Sequence, residues 1–396
     1  MEKRRAYVDQ LAREIELAAG AGLARGRLFR TVFLGGGTPS LCEGTEIARL
    51  LQALRDGFDL DPRAEITAEC NPESITPEKQ EAFRAAGVNR ISLGVQSMDP
   101  DQLRLLERIH DADLVERRMV ELRAAGYDNV SLDLIYGLPD ESPEARLGKA
   151  GSLESSPDGS PEGSPEGSPE RVRSGSEGPV GSRGAELWER TLRRALALAP
   201  DHLSAYLLTL EDGAPMARRY PRGRGLPEGE RAREEYEMLR SLAAAAGLAQ
   251  YEISNFALPG RECRHNQNYW VRGEYLGFGP SAHSHLDGRR WSNAASMPEY
   301  ARALGAGTPP VTGEERVEGV MAAEEWIFLG LRRTEGVAWR DLASALDEAA
   351  AGALRRRAAE LAAAGWLRDD GERLALRPEA YFVSNTVFTS LMEALG

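Results

Sequence analysis

The side chains best suited to chemistry follow short apolar runs of the chain. A glycine triplet at residues 35–37 comes directly after the apolar run at residues 30–34 and directly before Thr38. Because glycine has no Cβ, backbone N–H and C=O groups in such a triplet can approach a ligand closely. By itself the triplet is equally typical of a flexible turn.

Four further polar residues stand at or just beyond the ends of later apolar runs. They are Glu69, Gln96, Arg108 and Asp133. A carboxylate accepts hydrogen bonds from ribose hydroxyls or an ammonium group, whereas a guanidinium holds a carboxylate. Together the four side chains indicate a site for a zwitterionic, ribose-bearing ligand. A structural ion pair between Asp133 and Arg108 at the rim of the sheet is the alternative interpretation.

The elements that must position these residues alternate along the chain. A helix is predicted over residues 3–19, and five strands, each followed by a helix, are predicted at 30–34, 65–69, 90–95, 130–136 and 203–210. This alternation predicts an α/β fold with a parallel sheet and right-handed crossovers. Such folds carry their chemistry at the carboxyl ends of the strands, where the polar residues lie. Because the sequence opens with a helix, we expect an incomplete barrel without its first strand.

Composition narrows the class of protein. The chain has 396 residues and a net charge of −13, which argues against a general nucleic-acid binder because such proteins need a basic face. No apolar run has the length of a membrane span, and the N-terminal residues lack the apolar centre of a signal peptide. Cys42, Cys70 and Cys263 are too scattered for a disulfide framework. The sequence therefore predicts a cytoplasmic protein, and it allows peripheral contact with a membrane.

Three segments are predicted. Residues 1–250 form the partial barrel, interrupted at 141–184 by a Ser-, Pro-, Gly- and Glu-rich insertion that we expect to be disordered because it has little apolar surface to bury. Residues 251–320 form an aromatic and histidine-rich extension. Residues 321–396 have the helix–helix–hairpin pattern of a small winged-helix-like module.

The extension contains the segment CRHNQNYW, in which His265 is flanked by basic and aromatic residues. An axial histidine, an aromatic wall and arginine partners for propionates would make a heme site. The alternative is that His265 and Asn266 only hold the extension in place by hydrogen bonds. His283 and His285, in a glycine-rich loop, are secondary candidates.

The motifs taken together are similar to a known family. They are GGGTPS at 35–40, ECNP at 69–72, VNRISLGVQSMD at 88–99, LERIHD at 106–111, DLIYGLP at 133–139 and CRHNQNYW at 263–270. In order and number they resemble the oxygen-independent coproporphyrinogen III oxidase-like radical S-adenosylmethionine (SAM) proteins, and within them the heme chaperone subgroup. The resemblance runs from about Tyr7 to the C-terminus, apart from the insertion.

The resemblance implies an incomplete (β/α) barrel that binds SAM across its strand ends. The residues that match the SAM contacts of the family are Gly36, Gly37, Thr38, Glu69, Gln96, Arg108 and Asp133. In the heme chaperone subgroup the histidine of the His-Asn-x-x-Tyr-Trp motif is linked with heme, and His265 matches it. The implied partners are heme and a respiratory protein that accepts it.

The family also implies a [4Fe–4S] cluster, whose three cysteine ligands lie in a Cys-x-x-x-Cys-x-x-Cys loop. No such spacing occurs in this sequence. We expect that the start of the sequence is set too far downstream; a truncated, cluster-free heme-binding remnant is the alternative. The rival enzymatic function is that of an oxygen-independent coproporphyrinogen III oxidase, which the His265 segment disfavours.

Overall fold

A computed structural model describes residues 2–139, 182–211, 213, 215–220, 223, 226–227 and 229–396. The predicted insertion lies outside these residues except for 182–184, which are helical. No helix in the described ranges is both long and apolar enough to cross a membrane.

Helices and strands alternate through the first part of the described chain. In order they are α1 (Glu2–Gly20), β1 (Phe29–Leu34), α2 (Gly44–Gly57), β2 (Leu60–Cys70), α3 (Pro77–Ala86), β3 (Arg90–Gln96), α4 (Pro100–Leu105), α5 (Ala112–Ala124), β4 (Val130–Tyr136), α6 (Ser182–Ala197), β5 (His202–Leu207), α7 (Pro215–Arg219), α8 (Gly229–Ala245), β6 (Ala249–Gln250) and β7 (Asn255–Ala257). The strands form one sheet in the order β1-β2-β3-β4-β5-β7-β6. Neighbours from β1 to β5 are parallel, and β7 is antiparallel to both β5 and β6. The predicted incomplete (β/α) barrel is therefore confirmed.

The two faces of the sheet differ in polarity. The outer face carries apolar residues such as Ile66, Leu93 and Leu132, which are buried against the helices in one large core. On the inner face, polar residues occupy every second position of the strands. They are Glu65, Thr67 and Glu69 on β2, Arg90 and Ser92 on β3, Ser131 and Asp133 on β4, and His202 and Ser204 on β5. Because side chains alternate across a strand, this period of two lines the concave side of the half-barrel with polar groups.

The extension packs against α1 and β1 of the barrel. It contains α9 (Arg264–Trp270), β8 (His283–Leu286), β9 (Arg289–Asn293), α10 (Met297–Gly305) and β10 (Val311–Arg316), and the three strands form a separate sheet in the order β10-β9-β8. Glu14 of α1 is buried at this contact, where its carboxylate accepts hydrogen bonds from Gly279 N, Asn293 Nδ2 and the Tyr300 hydroxyl. These contacts fix α1 against the extension.

The C-terminal module is helical with a small antiparallel sheet. Its elements are α11 (Gly319–Glu325), a π-helical turn (Trp326–Gly330), β11 (Val337–Ala338), α12 (Trp339–Ala343), α13 (Glu348–Ala363), β12 (Leu367–Asp369), β13 (Arg373–Leu376) and α14 (Ser384–Met392). The predicted hairpin is the pair β12–β13. The module is joined to the start of the extension by two backbone hydrogen bonds. Ile253 N–H donates to Arg332 O and Thr334 N–H donates to Tyr251 O, each at 3.1 Å.

Helix α4 and strands β6 and β7 were not predicted from the sequence. Helix α4 begins at Pro100, and the Asp99 carboxylate accepts hydrogen bonds from the N–H groups of Asp101 and Gln102. That is an ordinary N-cap with proline at the first helical position, so the capping signal is present in the sequence. Strand β6 ends at residue 250 and β7 begins at residue 255, and both join the main sheet. They are two and three residues long, too short to show a period.

Candidate functional site

The glycine loop after β1 approaches the end of β2. The backbone N–H of Gly36 donates to the Glu69 carboxylate. Gly36 has a φ of +75°, and a Cβ built on Gly36 or on Gly37 would meet no atom within 4 Å. The left-handed backbone at Gly36 explains the requirement for glycine there. The open space above the two residues leaves room for a ligand against the loop.

Glu69 and Asp133 face each other across the inner side of the sheet. Partial burial, and then the neighbouring negative charge of Asp133, raise the pKa of Glu69 to about 7, although the Gly36 N–H opposes this. Burial also raises the pKa of Asp133, whereas hydroxyl donors favour its ionised form. Ser92 Oγ donates to Asp133 Oδ2 at 2.8 Å, and Ser131 Oγ donates to Asp133 Oδ1 at 3.0 Å. Neither carboxylate forms an ion pair within the described ranges, so the two acids together form a site for positive or hydroxyl-bearing groups.

The other predicted ligand contacts surround this pair less closely. Gln96 ends β3 with a φ of +64°, a sparsely populated conformation for a residue other than glycine. Within the described ranges, the side chains of Gln96 and Arg108 form no hydrogen bond or ion pair. Arg108 follows the turn after α4. Thr38 precedes a short 3₁₀ helix (Pro39–Leu41) without capping it.

The inner face fits the chemistry of SAM. The molecule carries a sulfonium, an ammonium, ribose hydroxyls and a carboxylate, and the Glu69–Asp133 pair can accept from the first three kinds of group by charge or hydrogen bond. Thr67 Oγ1 and Arg90 Nε are buried on the same face, and neither has a hydrogen-bond partner. Buried polar atoms of this kind normally have partners, so they mark a surface that a ligand or water would complete.

His265 lies in the first turn of α9, against the inner side of β1. Its Nδ1 is 2.9 Å from Thr31 Oγ1, and its Nε2 is 2.9 Å from the Tyr269 hydroxyl. The ring stacks on Phe33, with 5.0 Å between the ring centroids. Burial, and then the positive charge of Arg90, lower the pKa of His265 to about 4. At neutral pH the imidazole is therefore uncharged, which is the form that binds a metal.

A cavity of about 450 Å³ opens beside His265 and runs along the unpaired edge of β1. Tyr269, Asn266 and His283 also line it. The rest of the wall is mostly apolar and includes Leu11, Ile15, Phe29, Val32, Leu50, Phe58 and Phe278. His285 does not line this cavity; it is buried, and its Nδ1 lies 3.3 Å from Gly273 O. An apolar wall with a few polar groups is typical of a ligand site.

The described cysteines do not fit an iron–sulfur cluster. Cys42 follows the short 3₁₀ helix, Cys70 ends β2 on the apolar outer face, and Cys263 precedes α9. Across the described ranges no group of three or more His, Cys, Asp or Glu side chains is arranged to hold a metal ion.

The sequence analysis did not identify the polar residues on the inner face near the starts of the strands, a region called here the lower barrel. Glu65, Arg90 and His202 lie on the inner face, nearer the starts of their strands than Asp133. From the extension, Cys263 contacts Glu65 and Tyr251 contacts His202. The signal was present as polar residues at every second position of β2 to β5. Strands of parallel sheets are usually apolar on both faces, so this alternation marks a lumen that is not filled by an apolar core.

Comparisons with known proteins identify related sequences and a related fold. Residues 2–148 match the radical SAM superfamily, and residues 321–383 match the HemN C-terminal domain. The heme chaperone HemW of Mycobacterium tuberculosis (strain ATCC 25618 / H37Rv) is 34% identical over 96% of this chain and 85% of its own length. HemW of Bacillus subtilis (strain 168) is 29% identical over 92% of this chain and 86% of its own length.

A solved structure shares the fold. The coproporphyrinogen III oxidase HemN from Escherichia coli, a radical SAM enzyme, superposes with a TM-score of 0.74 at 21% identity. The match covers 98% of this chain and 83% of that one. The likeness therefore extends from the half-barrel through the extension to the C-terminal module.

Proposed function

The chain belongs to the radical SAM family that includes the heme chaperones HemW, and we propose that it is a heme chaperone that binds heme and delivers it to a respiratory protein in the cytoplasm. SAM is held on the inner face at the strand ends by the glycine loop, Glu69 and Asp133, with Gln96 and Arg108 closing around it. In this family SAM bound to a cluster supplies a 5′-deoxyadenosyl radical; the proposal for this chain concerns binding only.

The state of the His265 imidazole is the observation that carries the proposal. It is neutral and stacked on Phe33, and Thr31 accepts from or donates to Nδ1. A histidine that ligates a metal is commonly oriented by a hydrogen bond from its other ring nitrogen. If Nδ1–H donates to Thr31, the lone pair of Nε2 faces the Tyr269 hydroxyl. The heme iron would take the place of that hydroxyl, with the porphyrin against the apolar wall.

The test is a titration with hemin followed by the Soret band. His265→Ala is expected to abolish the shift or to weaken binding at least tenfold. Tyr269→Phe is expected to tighten binding about fivefold, because the hydroxyl that competes for Nε2 is worth about 1 kcal/mol as a hydrogen bond. If His265 were only structural, Tyr269→Phe would leave hemin affinity unchanged or reduce it.

The matched control is His283→Ala, which alters a second histidine of the same cavity. Hemin binding that survives in this variant and is lost in His265→Ala supports the assignment. The reverse result would move the iron to His283, and retention of full affinity in both variants would remove the cavity from consideration.

Delivery is tested separately by mixing the heme-loaded chain with the apo form of a respiratory heme protein. Recovery of the acceptor's spectrum, faster than from free hemin, is expected for a chaperone. Conversion of coproporphyrinogen III without heme transfer would instead identify the enzymatic function.

A further inference from the structure

A continuous chain of hydrogen bonds crosses the interior of the half-barrel from Asp133 to the helix that carries His265. We propose that this chain couples the two candidate ligand sites, with His202 as the positioning residue at its centre. The identities of the ligands, SAM at Asp133 and heme at His265, rest on the proposed function. The coupling itself rests on the contacts.

The first half of the chain connects strands β4 and β5 to the extension. Asp133 Oδ1 is 3.0 Å from Ser131 Oγ, which is 2.8 Å from His202 Nδ1. His202 Nε2 is in turn 2.8 Å from the Tyr251 hydroxyl. Ser131 and His202 are both fully buried. Water therefore does not compete for these bonds, and their geometry is set by the protein alone.

The second half reaches the backbone of α9. The N–H of Cys263 donates to the Tyr251 hydroxyl oxygen at 3.3 Å, and Cys263 Sγ lies 3.7 Å from Glu65 Oε1. The Glu65 carboxylate also accepts from the N–H groups of Arg264 and His265, each at 3.2 Å. The first turn of α9 is thus anchored at the end of the chain, directly at the residue that bears the candidate heme ligand.

The protons in the first half can point in only one direction while Asp133 is ionised. Ser131 has one hydroxyl proton and gives it to Asp133, so Ser131 Oγ must accept from His202 Nδ1–H. Burial, and then the charge of Arg90, hold the pKa of His202 well below its usual value, so the ring has one proton. Nε2 must then accept from the Tyr251 hydroxyl, whose oxygen accepts from Cys263 N–H. The inner face therefore fixes His202 as the Nδ1–H tautomer.

Such a chain has two discrete arrangements. A proton on Asp133 neutralises its charge, and a bound ligand satisfies it. In either case Ser131 no longer has to donate to Asp133. The direction of each hydrogen bond from Ser131 to Tyr251 can then reverse. Hydrogen bonds in series polarise one another, so a change at one end alters the others. A change at Tyr251 alters its bond to Cys263, one residue before α9. This is the two-state element that a coupling claim requires.

Arg90 supports both ends. It is 2% exposed, and its charge acts on Asp133, Glu65, Cys263 and Tyr251. The lower barrel thus holds one buried cation that both carboxylates share.

The test uses the nitrogen signals of the imidazole rings in the protein labelled with ¹⁵N-histidine. The chain has five histidines, so His202→Gln and His265→Ala assign the two relevant rings by the loss of their signals. We expect His202 as the neutral Nδ1–H tautomer. We also expect Asp133→Asn to shift the signals of both His202 and His265.

Tyr251→Phe interrupts the chain at its middle. In the Asp133→Asn, Tyr251→Phe double variant, the His202 signals should still move relative to Tyr251→Phe alone, whereas those of His265 should not. Tyr236→Phe is the matched control, because that buried hydroxyl donates to Ile253 O at 2.8 Å outside the chain. If Tyr251→Phe does not fold, Ser131→Ala interrupts the chain next to Asp133 and should leave His265 unresponsive to Asp133→Asn.

Ligand-binding measurements distinguish a failure of the coupling from a failure of the proposed function. Hemin affinity measured with and without saturating SAM is expected to differ by about 5- to 150-fold in the wild type, the usual range for coupled sites. In Tyr251→Phe the ratio should fall close to one. If neither ligand binds, the proposed function fails while the imidazole signals still decide the coupling. An Nε2–H tautomer for His202, or a His265 signal indifferent to Asp133→Asn in the otherwise unaltered chain, overturns the coupling.

Discussion

At the residue scale, the decisive feature is a pair of carboxylates, neither of which forms an ion pair with a described side chain. Glu69 and Asp133 share the inner face; burial raises the pKa of both, and the negative charge of Asp133 further raises that of Glu69. The hydroxyls of Ser92 and Ser131 and the N–H of Gly36 favour the charged forms but supply no charge. Ligand donors placed between the two acids would therefore bind best when both are ionised.

The pH dependence of ligand binding follows from this pair. Glu69 titrates at a pKa of about 7 in the ligand-free protein, and a donor ligand favours its ionised form. SAM affinity should therefore strengthen as the pH rises from 6 to 8, by about tenfold, since the ionised fraction of Glu69 rises from about one tenth to nine tenths. Calorimetric titration at each pH measures this.

Glu69→Gln is the control for that experiment, because glutamine keeps the shape and cannot ionise. The remaining pH dependence in this variant belongs to SAM itself and is subtracted. Equal slopes in the variant and the wild type would show that Glu69 does not face the ligand.

At the scale of single elements, the loop after β1 has two kinds of glycine. Gly35 is packed: a Cβ there would lie 2.6 Å from the Phe33 ring and 2.9 Å from Glu69 Oε2. Gly37 is open, with no atom within 4 Å of its Cβ position and no left-handed φ. The fold therefore requires glycine at position 35, whereas at position 37 only a bound ligand would require it.

Alanine substitutions separate these two roles. Gly37→Ala should leave the melting temperature unchanged and weaken SAM binding, because the new methyl group enters the space proposed for the ligand. Gly35→Ala should lower the free energy of unfolding by about 1–3 kcal/mol, the usual cost of overpacking. Thermal unfolding with and without SAM measures both effects. A Gly37→Ala variant with wild-type SAM affinity would place the ligand elsewhere.

At the scale of the whole molecule, the barrel and the C-terminal module share one apolar core. Ile327 and Phe388 of the module belong to the same buried cluster as Trp188 and Leu239 of helices α6 and α8. The Tyr236 and Phe382 rings also meet across this contact, with 6.1 Å between their centroids. The module therefore stabilises the helices behind the candidate site rather than forming a separate body.

A core substitution in the module should also destabilise the barrel. Ile327 is fully buried, and Ile327→Ala should cost about 2–5 kcal/mol from lost burial and the cavity left behind. Hydrogen exchange of β4 amides should speed up together with that of α13 amides. The nearby Val320→Ala is the control, because Val320 is 40% exposed and its change should stay within about 0.5 kcal/mol. Faster exchange confined to residues 321–396 would contradict a shared core.

The sequence by itself determined the parallel α/β architecture, the incomplete barrel and the family. Local periods of two and 3.6 residues and the turn residues between them carry that information. It also singled out Glu69 and Asp133, which share the inner face, but Asp133 lies in the middle of β4 rather than at its end. The structure adds a contact between the loop after β1 and β2, in which the N–H of Gly36 donates to the Glu69 carboxylate.

Only the tertiary structure decided how these residues are connected. Glu65 binds the backbone of His265, 200 positions away in the chain, and His202 meets Tyr251 across 49 positions. No local pattern encodes such contacts, because they depend on how β2 and β5 curl around α9. The lowered pKa of His265 and the direction of the hydrogen-bond chain arise from burial and from the nearby charge of Arg90. Both exist only in the folded half-barrel.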